Sequence, residues 1–302
     1  MSGQRSAPVL FGEALVDDFG DHQVAGGAPF NVARHLAAFG ERPLLVTRIG
    51  NDANGELVRA EFERFGMSTA GLQTDPDLPT GRVLVKTFGH SHQFEILPGQ
   101  AYDAIDAALA VQALSEVTPS ALYFGTLAQR DARSHAALAA LACACPGPRF
   151  LDLNLRDDEL DDACIDESLQ LANVAKLSED ELAALVVRRD LYYSSFEDSC
   201  RELIGLFDLE AVLLTLGEGG ARYVDRESRL KEKAARVQVR DTVGAGDAFS
   251  AVWLYGMSRG WSCIEMLEQA TAFAGAICTI RGAVPQDLGF YEPWLRRWEQ
   301  ID

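Results

Sequence analysis

The sequence predicts an α/β protein, because short apolar segments typical of buried strands alternate along the chain with longer segments of helical periodicity. The alternation starts with a strand at residues 9–17 and closes with a long apolar helix at residues 264–280. Residues 80–88 and 92–97 interrupt it, since they flank the turn Gly89-His90-Ser91 as a β-hairpin. An antiparallel hairpin on an α/β body indicates a lid or an interface sheet.

The composition is that of an ordinary globular protein with a strongly acidic surface. The 302 residues are 48% hydrophobic and 24% charged, and the formal net charge is -18. This charge argues against a nucleic-acid or anionic-membrane partner. The six cysteines are scattered, and Cys143-x-Cys145 has no second pair at zinc-like spacing, which favours reduced thiols. Because we find neither a signal peptide nor a membrane-spanning apolar run, we expect a cytoplasmic protein.

The N-terminal segment combines a carboxylate, two glycines and an amide. The predicted strand at residues 9–17 ends on Asp17, and this end of a strand faces the ligand crevice in open parallel sheets. Gly26-Gly27-Ala28-Pro29-Phe30-Asn31 then leads into a helix that ends near Gly40. The double glycine is either a tight turn or a place where the backbone approaches a ligand. If the backbone approaches a ligand there, Asn31 and the nearby Asp17 could bond its hydroxyl groups, so this interpretation predicts a polyol-binding site.

The following segments continue the α/β pattern. We predict strands at residues 44–49, 121–125, 149–153, 173–177 and 211–216, and helices at residues 56–65, 104–114 and 131–143. Residues 187–198 are predicted as an irregular surface insertion. The glycine loop at residues 217–220 either lies against a flat ring or turns the chain as a hairpin into residues 222–224.

Two polar groups follow predicted strands. Alternation along residues 149–156 sends Asp152, Asn154 and Arg156 to one side of the chain. Arg156 either pairs with Asp152 alone or offers its guanidinium to a phosphate. Ser178 and Glu181 have the spacing of a capping box, which is the default interpretation of that pair.

The stretch Arg240 to Ala251 is the part of the chain with the most distinctive chemistry. An apolar helix begins near Gly246, so its glycines lie where unpaired backbone N–H groups and the helix dipole attract anions. Asp247 places a carboxylate in this setting. It is either a helix-capping acid or a base that removes a proton beside a phosphate.

Asp241-Thr242-x-Gly244-Ala245-Gly246-Asp247-x-Phe249 resembles the signature of the ribokinase-like, or PfkB, carbohydrate kinases. Gly26-Gly27-Ala28-Pro29-x-Asn31-Val32-Ala33 is similar to the family's N-terminal motif in its fructokinase form, and Gly12-Glu13-x-Leu15-x-Asp17 precedes it. The resemblance covers nearly the whole chain. It implies a doubly wound, mostly parallel central sheet with helices on both faces and a small β-sheet lid. The lid would come from residues 13–25 and 80–98 of a single domain spanning residues 1–302.

The resemblance also implies a division of roles within the site. Sugar hydroxyls would be bound by Asp17, Gly26, Gly27 and Asn31, with Asn154 and Arg156 near the acceptor and the γ-phosphate. Asp247 would be the general base, with an anion hole formed by Gly244, Ala245 and Gly246. The nucleotide would be bound by Lys176, Ser178, Thr215, Gly217, Gly220 and Thr242. Glu181 would hold Mg²⁺ through water, and Asp241 a monovalent cation such as K⁺. Ser178 stands where many relatives have Asn.

The implied function is an ATP-dependent sugar kinase that phosphorylates a primary hydroxyl, with D-fructose as the expected acceptor and fructose 6-phosphate as the product. A kinase of the same fold that acts on 2-keto-3-deoxygluconate, another sugar or a nucleoside is the first alternative. A sugar- or nucleotide-sensing protein without turnover is the second. The apolar alternation of the hairpin predicts a homodimer formed through the lid sheet.

Overall fold

A computed structural model describes residues 6–88, 91–156, 160–192 and 194–301. The chain divides into two compact units: unit 1 contains residues 1–122 and 127–146, and unit 2 contains residues 123–126 and 147–302. The single domain expected over residues 1–302 stays a prediction. Within the described ranges, no helix combines the length and the hydrophobicity needed to cross a membrane.

Unit 1 contains eight strands and four helices among its described residues. In chain order the strands are β1 (Ser6–Phe11), β2 (Leu15–Asp18), β3 (Gln23–Gly26), β4 (Leu44–Gly50), β5 (Leu72–Asp75), β6 (Gly81–Phe88), β7 (Ser91–Ile96) and β8 (Thr118–Phe124), whose last two residues belong to unit 2. The helices are α1 (Ala28–Ala38), α2 (Ala53–Arg64), α3 (Ala107–Ala113) and α4 (Ala132–Ala144). Strands β8, β1, β4 and β5 lie side by side in that order, and β4 is parallel to both β1 and β5.

The four remaining strands of unit 1 form a small separate sheet in the order β3–β2–β6–β7. Strands β6 and β7 are antiparallel, which confirms the predicted hairpin, although Gly89 and His90 of its turn lie outside the described residues. Arg82 of β6 donates two hydrogen bonds to Asp18 of β2, of 2.9 and 2.6 Å, and joins the two predicted lid segments. The homodimer expected through this sheet stays a prediction.

The single strand predicted over residues 9–17 is wrong. The chain forms β1 and β2 in two different sheets, because Gly12 turns the backbone with a φ of 143°. The turn is fixed by hydrogen bonds from Gly12 N–H to the Val46 carbonyl (3.2 Å) and from Ala14 N–H to the Thr47 hydroxyl (3.1 Å). The apolar residues on both sides of Gly12 conceal the break in the sequence. Asp17 therefore belongs to the small sheet and not to the end of β1.

Unit 2 is built from five strands and six helices in its described part. The strands are β9 (Arg149–Asp152), β10 (Val174–Ser178), β11 (Ala211–Thr215), β12 (Ala221–Asp225) and β13 (Arg229–Glu232). The helices are α5 (Asp162–Leu171), α6 (Glu179–Arg188), α7 (Phe196–Phe207), α8 (Ala245–Arg259), α9 (Cys263–Ile277) and α10 (Glu292–Trp298). Strands β9, β10 and β11 are parallel, and β12 and β13 extend the sheet in antiparallel fashion.

The hairpin alternative for the glycine loop is confirmed, because β11 and β12 pair directly across residues 217–220. The boundaries of two predicted segments, residues 187–198 and residues 104–114, are wrong. Residues 187–198 are not one irregular insertion, since α6 continues to Arg188 and Ser195 caps α7 by accepting a hydrogen bond from Asp198 N–H (3.2 Å). The helix predicted at residues 104–114 is instead a 3₁₀ turn at Ala101–Ala104 followed by α3, which Asp106 caps.

Helices α8, α9 and α10 share an aromatic core that fixes the position of α8. The Trp298 ring is fully buried, and its centroid lies 5.4 Å from Tyr255, 5.9 Å from Trp261 and 5.8 Å from Phe273. The Trp298 indole N–H donates to Gln269 of α9 (3.2 Å). Trp298 is therefore a packing residue, and the C-terminal end of α8, where Tyr255 lies, rests on this aromatic core.

The substitution Gly12→Ala should lower the free energy of unfolding by about 3 kcal/mol, because it adds steric overlap to an unfavourable backbone conformation. A Cβ atom at Gly12 would lie 2.6 Å from Cγ of Pro29. Gly20→Ala is the matched control, since Gly20 also has a positive φ, 87°, but open space around it. We expect that control to lose only ~1 kcal/mol in urea unfolding. Equal losses would contradict the steric explanation.

Candidate active site

The N-terminal end of α8 is shaped by a glycine. Gly244 has a left-handed conformation with a φ of 78°, and a Cβ atom there would overlap Ala283. Within the described part of the chain, no side chain caps this helix end. Ala245 N–H donates to the Thr242 carbonyl (3.3 Å), and Ala248 N–H makes the first full helical bond to Gly244 (2.8 Å). A helix end of this kind carries partial positive charge and favours an anion.

Asp247 lies in the first turn of α8 and is half-buried. Asp247 directly follows Gly244, Ala245 and Gly246 in the chain, and the anion hole expected from those three residues stays a prediction. Gly246 has a second reason to lack a side chain: a Cβ atom there would lie 3.0 Å from the Lys176 ammonium nitrogen. The first turn of α8 therefore has a positive charge against its backbone.

Lys176 and Asp152 form a buried ion pair beside this turn. The Lys176 Nζ atom lies 2.7 and 2.8 Å from the two Asp152 carboxylate oxygens, and the two residues are 6% and 2% exposed. The hydroxyls of Ser250 (2.9 Å) and Tyr123 (3.2 Å) donate to the same carboxylate. Burial would lower the pKa of Lys176, but the carboxylates of Asp152, Glu181 and Asp247 outweigh burial and raise it. Lys176 is therefore a charged ammonium.

The alternation predicted for residues 149–156 ends at Asp152. Strand β9 stops there, and Asn154 has a left-handed backbone with a φ of 42°, so Asp152, Asn154 and Arg156 do not follow one strand face. Asp152 pairs with Lys176 and not with Arg156, which is exposed. The roles of Asn154 and Arg156 in binding an acceptor or a phosphate stay predictions.

The capping box at the start of α6 is confirmed and has an additional contact. Glu181 N–H donates to the Ser178 hydroxyl (3.2 Å), and Ser178 N–H donates to the Glu181 carboxylate (2.6 Å). The second carboxylate oxygen of Glu181 accepts from Leu155 N–H (2.6 Å). Glu181 thus fixes the loop after β9 to the start of α6.

The residues near Glu181 fit Mg²⁺ only if water and substrate phosphates supply most of the ligands of the ion. Among the described residues, no three His, Cys, Asp or Glu side chains are grouped to hold a metal ion. Mg²⁺ typically keeps several waters and binds through one or two carboxylates together with substrate phosphates. A half-buried carboxylate such as Glu181, oriented by backbone N–H groups, suits contact with the ion through water.

A cleft of about 1100 Å³ adjoins the first turn of α8 in unit 2. It is lined by six of the residues predicted from sequence: Thr215, Gly217, Gly220, Thr242, Ala245 and Gly246. Gly220 has a φ of 86°, and a Cβ atom there would overlap the Glu232 carbonyl, so this wall of the cleft requires glycine. Within the described chain, neither Lys176 nor Ser178 belongs to the lining of the cleft.

Sequence reasoning missed the part of the cleft lining that lies outside those six residues, the glycine loop and its neighbour Ala221. The additional residues are Lys233, Ala234, Ala235, Arg236, Val237 and Val239 from the segment after β13, Phe249 of α8, and Thr271, Ala274, Gly275 and Cys278 in or just after α9. Two signals were present in the sequence. Lys233 and Arg236 are basic residues in an acidic chain, and Ala274-Gly275 is a pair of small residues that lets a flat group approach a helix.

Asp241 holds the segment before α8 in place. Its two carboxylate oxygens accept from Val243 N–H (3.1 Å) and Gly282 N–H (2.8 Å), while Arg240 N–H donates to the Cys278 carbonyl (2.8 Å). Asp241 thus joins the segment before α8 to the loop at Gly282. The role of Asp241 in holding a monovalent cation stays a prediction.

In unit 1 the predicted sugar-binding residues Asp17 and Gly26 lie on neighbouring strands. A Cβ atom at Gly26 would be 2.6 Å from an Asp17 carboxylate oxygen, so the carboxylate occupies the space that a side chain would fill. Gly27 has a φ of 108°, and a Cβ atom there would lie 2.6 Å from the Glu13 carbonyl. The double glycine therefore lets the chain pass closely over Asp17 and Glu13 before α1 begins.

Asn31 lies in the first turn of α1, where its N–H donates to the Gly27 carbonyl (2.8 Å). Arg34, one turn further, donates to the Asn31 side-chain oxygen, to the Ala25 carbonyl (2.9 Å) and to Glu61 (2.8 Å). Because a guanidinium only donates, the amide oxygen of Asn31 is the atom that faces Arg34. Sequence reasoning missed Arg34, although an arginine three residues after Asn31 in a helix lies on the same face.

Known proteins of one family resemble this chain over most of its length. Residues 8–287 match the model of a family described as pfkB family carbohydrate kinase. A fructokinase from Salmonella typhimurium is 27% identical over 289 residues, which are 89% of this chain and 92% of the relative. An aminoimidazole riboside kinase from Salmonella typhimurium is 28% identical over 296 residues, which are 91% of this chain and 90% of the relative.

The fold is also found in a solved structure. The crystal structure of a fructokinase with bound ATP from Xylella fastidiosa matches with a TM-score of 0.84 at 22% identity, covering 98% of this chain and 99% of that chain. This likeness confirms the predicted ribokinase-like α/β fold, with a large, mostly parallel sheet, helices and a small separate sheet.

Glu181→Gln should lower the free energy of unfolding by about 2 kcal/mol, because a neutral amide accepts more weakly from two backbone N–H groups than a carboxylate does. Glu265→Gln is the matched control: Ser262 and Glu265 form the same capping box at the start of α9, in an exposed position. We expect a smaller loss from the control in urea unfolding. Equal losses would show that the Leu155 contact contributes nothing.

Proposed function

The chain belongs to the pfkB family of carbohydrate kinases, and on that premise we propose that it transfers the γ-phosphate of ATP to a primary hydroxyl of D-fructose, yielding fructose 6-phosphate. The observation that carries the proposal is the position of Asp247 in the first turn of α8, beside a helix end suited to an anion. A carboxylate there stabilises the helix dipole, and it is also the base that phosphoryl transfer to an alcohol needs.

In the proposed mechanism Asp247 takes the proton from the attacking hydroxyl. The N-terminal end of α8, including Gly244 and Gly246, stabilises the negative charge on the transferring phosphoryl group. Arg156 supplies a further positive charge near that group. Mg²⁺ would neutralise charge on the nucleotide phosphates when bound, held by Glu181 through water. The protein's contribution is therefore positioning and electrostatics, which is the usual division in phosphoryl transfer.

We assign ATP to the cleft of unit 2. Its volume, about 1100 Å³, is ample for a nucleotide, and its lining joins the glycine loop at residues 217–220 to the first turn of α8. In this assignment Thr215, Gly217 and Gly220 lie toward the base and Thr242 toward the phosphates. Support comes from the fructokinase of the same fold whose structure contains ATP. Asp241 would bind K⁺ next to this site.

The acceptor would bind in unit 1 through Asp17, Gly26, Gly27 and Asn31. A carboxylate and an amide together accept and donate hydrogen bonds, as neighbouring sugar hydroxyls require. The Asp17 carboxylate also repels another carboxylate, which favours a neutral sugar over an acid such as 2-keto-3-deoxygluconate. A riboside is the second candidate acceptor, because an aminoimidazole riboside kinase is as similar to this chain as a fructokinase is.

An acceptor panel tests the function directly. Purified protein with MgATP would be given D-fructose, D-ribose, 2-keto-3-deoxygluconate or a ribonucleoside, and ADP release would be measured. We expect the highest kcat/KM with D-fructose and a phosphate ester at its primary hydroxyl by ³¹P NMR. A higher value with the ribonucleoside would assign the second candidate. Binding of ATP without ADP release for any acceptor would instead indicate a sensing protein.

Asp247→Asn should lower kcat about 10²- to 10⁴-fold, since an amide cannot accept the proton, while KM for ATP changes little. The measurement is steady-state ADP release with the best acceptor of the panel. Asp180→Asn is the matched control, because Asp180 also lies in the first turn of a helix but is exposed. The proposal is abandoned if the Asp247 variant turns over at the wild-type rate.

Asp17→Asn should raise KM for the sugar at least about 10-fold, because one hydrogen bond to a charged group is lost, and KM for ATP should stay unchanged. Asp18→Asn is the control, because Asp18 bonds Arg82 within the small sheet. Bonds from Gly20, Gln23 and Arg82 lower the pKa of Asp18, so its contribution to stability is present above pH 3.8 and disappears as acid protonates it. The control should lower Tm at pH 7 and leave KM alone. Equal KM effects would argue against a sugar contact by Asp17.

A further inference from the structure

The Lys176 ammonium is the point at which three parts of unit 2 meet. Lys176 lies beside Asp152 in the register of β10 and β9, so both side chains leave the sheet on the same face. The Asp152 carboxylate is bonded by Ser250 of α8, and the ammonium nitrogen lies 3.0 Å from the position of a Cβ atom at Gly246. The ends of two strands and the first turn of α8 are thus joined through one cation.

A buried ion pair of this kind is not explained by stability alone. Removing two charges from water costs several kcal/mol for each ion, and apolar residues of similar volume often serve as well. Gly246 stands beside the ammonium where alanine would otherwise be the more favourable residue for a helix. The chain therefore places an ammonium beneath the first turn of α8 although simpler packing is available.

We propose that Lys176 is a positioning residue for phosphoryl transfer: its ammonium holds the first turn of α8, with Asp247, over the ends of β9 and β10 and keeps positive charge beneath that turn. The part of this proposal that concerns the reaction rests on the proposed function. The part that concerns the position of α8 rests on the contacts of Lys176. The family resemblance implies that Lys176 binds the nucleotide directly. The ammonium is bonded to both carboxylate oxygens of Asp152. Among the described residues Lys176 does not itself line the cleft, although Gly246 beside it does, and this favours an indirect role.

The charges around Lys176 determine how it acts on Asp247. The ammonium is bonded to the carboxylate of Asp152 on β9, and the negative charges of Glu181 on α6 and Asp247 on α8 also act on it. The hydroxyls of Tyr123 and Ser250 donate to the Asp152 carboxylate. A nearby cation favours the ionised form of a carboxyl group. Since a general base must be ionised to accept a proton, Lys176 keeps Asp247 ready at lower pH than an apolar residue in its place would.

Three variants separate this role from that of a structural partner. Lys176→Met and Asp152→Asn each leave one buried charge unpaired, so both should lower Tm, whereas the double variant removes both charges and should recover Tm. We expect kcat of the double variant to stay about 10- to 100-fold below wild type, because the first turn of α8 is no longer held in place. ATP affinity measured by calorimetry should change less than about threefold. Loss of a direct charged contact with ATP would instead weaken the affinity about 10-fold or more.

The pH dependence provides a measurement that loosened packing would not reproduce. With ¹³C-labelled aspartate, assigned by Asp247→Asn, the titration of the Asp247 carboxyl can be followed without substrates. Lys176→Met should move its midpoint to higher pH and Asp152→Asn to lower pH, and the acidic limb of kcat should move in the same directions. Loosening alone would move both variants the same way.

The outcomes distinguish the two proposals. Recovery of wild-type kcat in the double variant, or an unmoved Asp247 midpoint in the single variants, would overturn the positioning role. A large loss of ATP affinity at unchanged kcat would overturn it too and would assign Lys176 to the nucleotide. If Lys176→Met does not fold, the double variant and Asp152→Asn still decide the question. A wild-type protein that phosphorylates no acceptor while the Asp247 midpoints move as expected would end the proposed function alone.

Discussion

The ion pair between Lys176 and Asp152 is the interaction on which unit 2 depends. It lies at the ends of β9 and β10, beneath the first turn of α8, and both charges are almost completely buried. Such a pair is stable only when further bonds satisfy its remaining polar atoms, and Ser250 and Tyr123 provide two of them. Helix α8 is therefore fixed at its N-terminal end by polar contacts and at its C-terminal end by the aromatic core around Trp298.

The glycines of the family motifs have separate physical causes in this chain. Gly26 makes room for the Asp17 carboxylate, Gly246 for the Lys176 ammonium, and Gly220 for the backbone of Glu232. Gly27 and Gly244 additionally require positive φ values of 108° and 78°. In each case the glycine admits another group of the protein close to its own backbone, so the motif records internal contacts as well as any approach by a ligand.

Much of the fold follows from local signals in the sequence. The capping box of Ser178 and Glu181 and the hairpin of β6 and β7 depend on nearby residues, and both predictions are confirmed. The break at Gly12 could not be predicted, because it is set by contacts with Val46 and Thr47, which are distant in sequence. In the candidate site, the sequence motifs predicted six residues of the cleft lining. The lining at residues 233–239 was not predicted, because that segment has no periodicity and matches no motif. Arg34 was missed because its partners come together only in the folded unit.

The division of the chain into two units has a consequence for the evolution of specificity. Asp17, Gly26, Gly27 and Asn31, which are proposed to recognise the acceptor, belong to unit 1, while Asn154, Asp247, Lys176 and the cleft lining belong to unit 2. Mutations in unit 1 can therefore exchange one hydroxyl compound for another without altering the base or the nucleotide site. A lineage can diversify its substrates by changing one half of its gene while selection preserves the other half.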